Sequence, residues 1–265
     1  MYDFSYHRAA SVDDAKKRFS AGDDALYLAG GMTLLPTMKQ RLANPSDLID
    51  LGGIGDMAVI RRDGDALVVG AMTTHAAVAA DATVHKAIPA LAALAGGIGD
   101  PHVRNRGTIG GSVANNDPAA DYPAAVLGLG ATVRTDRREI AADDFFQGMF
   151  ETALEPGELI TALSFPVPQA AGYAKFENPA SRYAIVGVFV ARTAAGVRVA
   201  VTGAGPSVFR VPDMEAALGK SFKPEAVADI RVPADDLNAD IHASPDYRAH
   251  LITVMAKRAV AAAAA

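Results

Sequence analysis

Two glycine pairs, each beside a hydroxyl residue, are the positions in this chain best suited to chemistry. They are Ala29-Gly30-Gly31-Met32-Thr33-Leu34-Leu35-Pro36 and Thr108-Ile109-Gly110-Gly111-Ser112-Val113-Ala114-Asn115. Glycine removes the Cβ that would hold a ligand off the backbone, so N–H groups can approach an anion, and the Thr or Ser adds a hydroxyl donor. The first pair follows the apolar run Ala25-Leu26-Tyr27-Leu28 and precedes a helical stretch over 33–42. That is the strand–turn–helix setting in which a helix N-terminus holds phosphate. Two such turns in one chain point to a diphosphate clamped from both sides, as a dinucleotide requires. Neither turn reads G-x-G-x-x-G, and Asp50, near the spacing of a ribose-binding acid, lies in a short extended segment that runs into another turn. Gly52-Gly53 and Gly96-Gly97 lack the hydroxyl and read as plain turns.

Local signals place the elements that must position these turns. Ser11 with Asp14 three residues on caps a helix running through Phe19. A strand at 27–29 and the 33–42 helix complete a first α/β unit to about Leu51, with Asn44-Pro45 as the stop. Asp63-Gly64 marks a hairpin between strands at 57–60 and 66–69. Thr74 caps a short helix to Ala80, and one helix spans 84–95 with Ala87, Ile88, Leu91, Leu94 and Ala95 on one face. Residues 99–107 form a loop that delivers the second glycine turn, and 117–123 opens an apolar helix to Leu129. Strands follow at 131–134 and 159–165, and Pro166-Val167-Pro168 marks a boundary. Beyond it, 183–192 and 197–202 form an antiparallel pair, and 247–265 is helical.

Composition excludes several classes of function. At 265 residues the chain suits about two domains. It has no apolar run long enough for a membrane span, and the opening Met1–Tyr6 lacks a basic stretch followed by an apolar one, so a cytoplasmic location is expected. A net charge of −5 argues against a nucleic-acid groove. The chain contains no cysteine, which rules out thiolate nucleophiles, disulfides and cysteine-ligated clusters, and its six histidines show no metal-ligand spacing. Redox chemistry here has to come from a bound organic cofactor.

The two glycine segments, extended by Met38-Lys39, by Arg104-Asn105-Arg106-Gly107 and by Asp117-Pro118-Ala119-Ala120-Asp121, closely resemble the flavin subunit of molybdenum hydroxylases. This is the medium chain of the carbon monoxide dehydrogenase and xanthine dehydrogenase family. The resemblance covers nearly the whole chain, with Val201-Thr202-Gly203-Ala204-Gly205 in its usual place. It implies an α+β fold: a two-subdomain FAD-binding domain of the vanillyl-alcohol oxidase type over 1–167, with subdomains near 1–53 and 54–167. A small flavoprotein C-terminal domain with an antiparallel sheet and helices follows over 168–265. It also implies an oxidoreductase subunit that binds FAD non-covalently in a heterotrimer or a dimer of heterotrimers. There a large molybdopterin subunit oxidises the substrate, and a small subunit with two 2Fe–2S clusters passes electrons to this chain's FAD and on to an external acceptor. A stand-alone flavin-dependent oxidoreductase on the same fold is the alternative.

The resemblance further implies cofactor contacts. Leu28, Ala29, Gly30, Gly31, Met32, Thr33 and Leu34 hold the diphosphate and ribityl chain together with Thr108, Ile109, Gly110, Gly111 and Ser112. Asp121 hydrogen-bonds the nucleotide end, or else serves only the dipole of the helix it opens. Ile98 and Ile160 touch the cofactor, Lys175 places a cation near the flavin ring, and Tyr183 lies against the ring. Relatives often carry Gln, His or Asn where Met32 stands, so that contact falls to the backbone or to Thr33. Arg104, Arg106 and His102 stay outside the expected site, and no catalytic residue or metal ligand is expected on this chain.

Overall fold

The chain, seen in a computed structural model that describes residues 1–263, begins with β1 (Ser5–Arg8), α1 (Val12–Ala21), β2 (Ala25–Leu28), α2 (Leu34–Lys39) and β3 (Asp47–Asp50). Ser11 Oγ accepts from Asp14 N at 3.1 Å while Asp14 accepts from Ala10 N, the reciprocal cap expected at the start of α1. The three strands pair in parallel in the order β1-β3-β2, with Leu48 and Ile49 of the central strand buried. The first glycine segment therefore leaves the carboxyl end of a parallel sheet, where ligands of open α/β sheets bind. Helix α2 is shorter than the expected 33–42 stretch. Arg41 has φ of +61°, which ends the helix before Leu42.

A second sheet, antiparallel in the order β4-β5-β10-β6-β7, contains β4 (Ile60–Asp63), β5 (Ala66–Gly70), β6 (Thr132–Thr135), β7 (Glu139–Ala141) and β10 (Ile160–Pro166). Between β5 and β6 run α3 (His75–Ala80), α4 (Ala82–Ala87), α5 (Pro89–Gly96), α6 (Pro101–Arg106), α7 (Ile109–Asn115) and α8 (Tyr122–Leu129). After β7 come α9 (Ala142–Phe145) and a small hairpin, β8 (Phe146–Gly148) and β9 (Glu151–Thr152).

Four readings shift here. The hairpin exists, but residues 55–58 form a helical turn that buries Met57, and the first strand is β4. The expected 84–95 helix is two helices, because Pro89 has no N–H to continue α4 and instead starts α5. Residues 101–106 are helical, not loop: Asp100 accepts from Val103 N at 3.0 Å and Pro101 occupies the first turn. The second glycine pair is the first turn of α7, with Thr108 as its cap, and not a bend.

The third sheet runs β11-β12-β13-β14 with β11 (Ala170–Glu177), β12 (Ala184–Thr193), β13 (Gly196–Thr202) and β14 (Phe209–Arg210), covered by α10 (Pro212–Lys220) and α11 (Pro245–Ala263). The expected final helix starts at Pro245, and its last residues, 264–265, lie outside the described residues. Every residue of α8 is buried, which explains why its sequence is apolar on all sides. Two residues join α1 and β2 to the connections flanking the second sheet: Lys16 pairs with buried Asp136 after β6, and the Tyr27 hydroxyl donates to Gly157 O before β10 at 3.1 Å. No helix among the described residues is long and apolar enough to cross a membrane.

The third sheet grips the approach to α8 through backbone groups. Gly203 N donates to Pro118 O at 2.7 Å, Ala184 N to Ala119 O at 3.2 Å, and Thr202 Oγ1 to Ala120 O at 2.6 Å. Gly203 has φ of +82°, and a Cβ there would overlap the Ala184 carbonyl. Gly203→Ala is therefore expected to destabilise the fold by about 2–4 kcal/mol, combining left-handed strain with the overlap. Urea unfolding checks this, and a loss below about 1 kcal/mol contradicts it.

Candidate functional site

A cavity of about 550 Å³ opens at the carboxyl end of the first sheet, within the size range of small-molecule sites. Its walls are the 28–34 segment, the starts of α6 and α7, the 117–121 segment, the residues before β10 and the turn joining β11 to β12.

The two glycine segments meet there with almost no side chain between them. A Cβ on Gly30 would overlap the Arg106 carbonyl, one on Gly110 would overlap Ala71, and one on Gly107 would meet His75 Nε2 at 2.5 Å. Their hydrogen bonding differs sharply. In the first segment, the N–H groups of Gly30, Gly31, Met32 and Thr33 have no protein acceptor among the described residues, and Gly31 sits at φ +73°. In the second, every amide from Ile109 to Ser112 is used. Ile109 N donates to Thr73 O, Gly110 N to Ala71 O, Gly111 N to Thr108 Oγ1 and Ser112 N to Thr108 O. An anion thus finds a run of free donors on one side only. The other side offers the hydroxyls of Ser112 and Thr108. The expected clamp of amides from both bends is corrected accordingly: docking α7 onto the connection after β5 takes the donors of the second segment.

Leu28, Ala29, Gly30, Gly31, Met32, Thr33, Leu34, Ile98, Thr108, Gly110, Gly111, Ser112, Asp121, Ile160 and Tyr183 all line the cavity. Ile109 does not; its side chain is fully buried in the core. Lys175 lies behind the wall, its Nζ 3.0 Å from Asp121 Oδ1, 2.9 Å from Gly97 O and 2.8 Å from Arg182 O. Gly97 therefore contributes a carbonyl to the site's framework rather than a plain turn. Tyr183, half-exposed, stands at the rim beside Arg182, whose φ is +62°. Arg104 donates to the carbonyls of Ile98 and Gly99, fixing that edge of the cavity from within the protein.

Two residues of the site went unread in the sequence. His75, at the start of α3, lines the cavity; its ring tilts against that of Tyr122 at 5.3 Å, and its Nδ1 is sealed without a partner. Burial, helped by nearby Arg104, lowers its pKa from 6.5 to about 4, so the cavity meets a neutral imidazole. A single histidine after a strand carries no sequence signal of that role. Tyr173, on β11, donates to Asp121 Oδ1 at 2.5 Å. Burial pushes the Asp121 carboxyl up, opposed by the Lys175 ammonium and the Tyr173 hydroxyl. Four free consecutive amides, two hydroxyls and a carboxyl group on one cavity suit a nucleotide diphosphate with hydroxyl or N–H groups further along.

Residues 2–168 match the family model of the FAD binding domain in molybdopterin dehydrogenase, and residues 171–263 match that of the CO dehydrogenase flavoprotein C-terminal domain. The nicotine 6-hydroxylase medium subunit of Paenarthrobacter nicotinovorans is 38% identical over 98% of this chain and 97% of its own length. The carbon monoxide dehydrogenase medium chain of Afipia carboxidovorans is 39% identical over 97% and 95%. A solved structure of reconstituted CO dehydrogenase from Oligotropha carboxidovorans superposes with a TM-score of 0.90 at 34% identity, covering 99% of this chain and 98% of that one.

The state of His75 has a measurable consequence. Unfolded, it takes up a proton near pH 6.5, whereas folded it stays neutral down to about 4. The unfolded chain therefore binds more protons in that window, and stability falls as pH drops through it, by on the order of 3 kcal/mol in all. His75→Gln is expected to flatten this part of the stability–pH curve relative to the parent. Urea titrations from pH 7 down to 4 test it, and parallel curves for the two proteins contradict it.

Proposed function

This chain belongs to the family of FAD-binding medium subunits of molybdenum hydroxylases, and on that premise we propose that it is the electron-transfer subunit of such an enzyme. The observation that carries the reading is the row of free N–H groups from Gly30 to Thr33 on the cavity wall. FAD, the cofactor of this oxidoreductase family, supplies when bound a two-electron store that fills in single-electron steps and empties to an external acceptor.

The protein's part is placement and shielding. Gly30–Thr33, with Ser112 and Thr108, meets the diphosphate by amide and hydroxyl dipoles. Asp121 accepts from a hydroxyl or N–H of the cofactor. Ile98, Ile160 and Tyr183 exclude water from its apolar parts. On this reading residues 1–167 are the FAD-binding domain, and the C-terminal domain that starts at residue 168 braces it. A small subunit with two 2Fe–2S clusters would deliver the electrons, which a large molybdopterin subunit would release by oxidising the substrate. The three chains form a cytoplasmic heterotrimer or its dimer. The absence of cysteine from this chain fits that division, because thiolate-held clusters then belong to another polypeptide.

The full chain is expected to purify with flavin absorption, and its FAD to be reduced by an oxidisable substrate only when the two partner subunits are present. Substrate-driven reduction in the isolated chain would instead favour a stand-alone flavoenzyme. Gly30→Ala, which sets a methyl group against the Arg106 carbonyl, is expected to weaken FAD binding at least tenfold, about 1.4 kcal/mol. Fluorescence titration of the stripped chain measures it, and unchanged affinity contradicts the role of this segment.

A further inference from the structure

Asp121 uses its two oxygens unequally. Oδ1 receives the Tyr173 hydroxyl at 2.5 Å and faces Lys175 Nζ at 3.0 Å. Oδ2 has no protein donor among the described residues, although Asp121 stands on the cavity wall and is 4% exposed. Both partners of Oδ1 are themselves fixed. Lys175 has three N–H bonds, and three acceptors surround it: Asp121, the Gly97 carbonyl at the end of α5 and the Arg182 carbonyl at the rim. The Tyr173 ring packs against Phe189, and a Cβ on Gly187 of the neighbouring strand would overlap its hydroxyl. Glycine at 187 leaves that oxygen room to reach Asp121.

We propose that Tyr173 and Lys175 are positioning residues that pin Asp121 by Oδ1 and so hold Oδ2 as a pre-oriented acceptor for a hydroxyl or N–H of FAD. Lys175 acts here through the carboxylate and the two carbonyls, not as a cation against the flavin. The arrangement has a physical motive. A buried carboxylate left to itself either protonates or rotates, and each loses the acceptor. Two donors on one oxygen work against both, offsetting part of the upward push that burial gives the carboxyl, while leaving the other oxygen bare, and a preformed acceptor lowers the ordering cost of binding. The inference rests on the reading that Asp121 touches FAD.

The charged and titratable groups facing Asp121 are Tyr173, Lys175 and Glu177 on β11, Tyr122 on α8 and Tyr183 in the following turn. The test compares the full-length parent with Tyr173→Phe, Asp121→Asn and the double variant. FAD affinity of the stripped chains is read by fluorescence, and the ¹³C carboxyl resonance of Asp121 is followed against pH. Tyr173→Phe keeps the ring, and thermal melts of each variant confirm that it folds. Tyr173→Phe is expected to weaken FAD about tenfold and to move the Asp121 titration to higher pH. In the double variant the loss should equal that of Asp121→Asn alone, since both act through one oxygen pair. Losses that multiply, or an Asp121 titration that Tyr173→Phe does not move, overturn the proposal. If Asp121→Asn weakens FAD while Tyr173→Phe does not, only the positioning role fails. If Asp121→Asn binds FAD as the parent does, the Asp121 contact itself fails, and the proposal with it.

Discussion

The backbone of the first glycine segment lies against the backbone at the α6–α7 junction, and the cavity exists because nothing larger than hydrogen separates them. Gly30 faces the Arg106 carbonyl and the Gly107 Cα, and Gly107 in turn leaves room for His75. Any side chain at these points would push the 28–34 segment off the α6–α7 junction, or that junction off α3, and widen the floor of the site. The same closeness determines where donors remain. Docking of α7 takes the amides of Ile109 and Gly110 into bonds with Thr73 and Ala71. The 30–33 segment leaves its sheet in a turn whose Gly31 and Thr33 carbonyls accept from Leu35 and Thr37, while its N–H groups have no acceptor among the described residues and stay available. Two sequence features that look alike thus divide into a packing device and a row of free donors.

The third sheet completes the site without contributing much of its surface. It holds 118–120 by backbone bonds from Ala184 and Gly203 and by the Thr202 hydroxyl, and it holds Asp121 through Tyr173 and Lys175. Arg248, buried on α11, donates to Ile185 O at 2.6 Å and Gly203 O at 3.0 Å, which steadies the strand ends that make those bonds. One wall of the cavity is therefore only as rigid as a sheet that begins after residue 169. This gives a physical reason for the C-terminal part to accompany the cofactor-binding part as one chain.

Much of this was legible in the sequence where the signal is local. Ser11 with Asp14, Thr74 before α3 and Asp63-Gly64 each specify a cap or turn through atoms within a few residues, and each appears in the structure. The cavity-lining glycines were legible for the same reason. What escaped depends on partners far away in the chain. A Gly-Gly pair ordinarily breaks a helix, yet Gly110-Gly111 begins one, because Ala71 packs where a Cβ would lie and Thr108 caps the turn. Lys175 has the sequence surroundings of a free strand lysine, and only the fold brings Gly97, Asp121 and Arg182 around its ammonium. His75 is marked by nothing nearby. Pro89 and Asp100-Pro101 are different: their signals were local, and the helices they divide or start follow from proline geometry alone.

The cavity is acidic apart from one rim arginine. Its wall holds Asp117, Asp121 and Glu158, and Arg182 at the rim is its one permanently cationic side chain among the described residues. His75 is neutral, and Glu158 is held well ionised, at about 2, by the Arg138 guanidinium and the donors around it. A diphosphate entering such a site is met by oriented amides and hydroxyls and not by countercharges. Fixed dipoles stabilise an anion without the desolvation cost of a buried ammonium, and they do so only if their directions are set before the ligand arrives. That requirement links the features of the site. The glycine contacts set the amides, Arg104 sets the 98–99 edge, and Tyr173 with Lys175 sets the carboxylate. A cavity that recognises by dipoles must be built rigid, and the tight backbone packing around this one is how the chain achieves it.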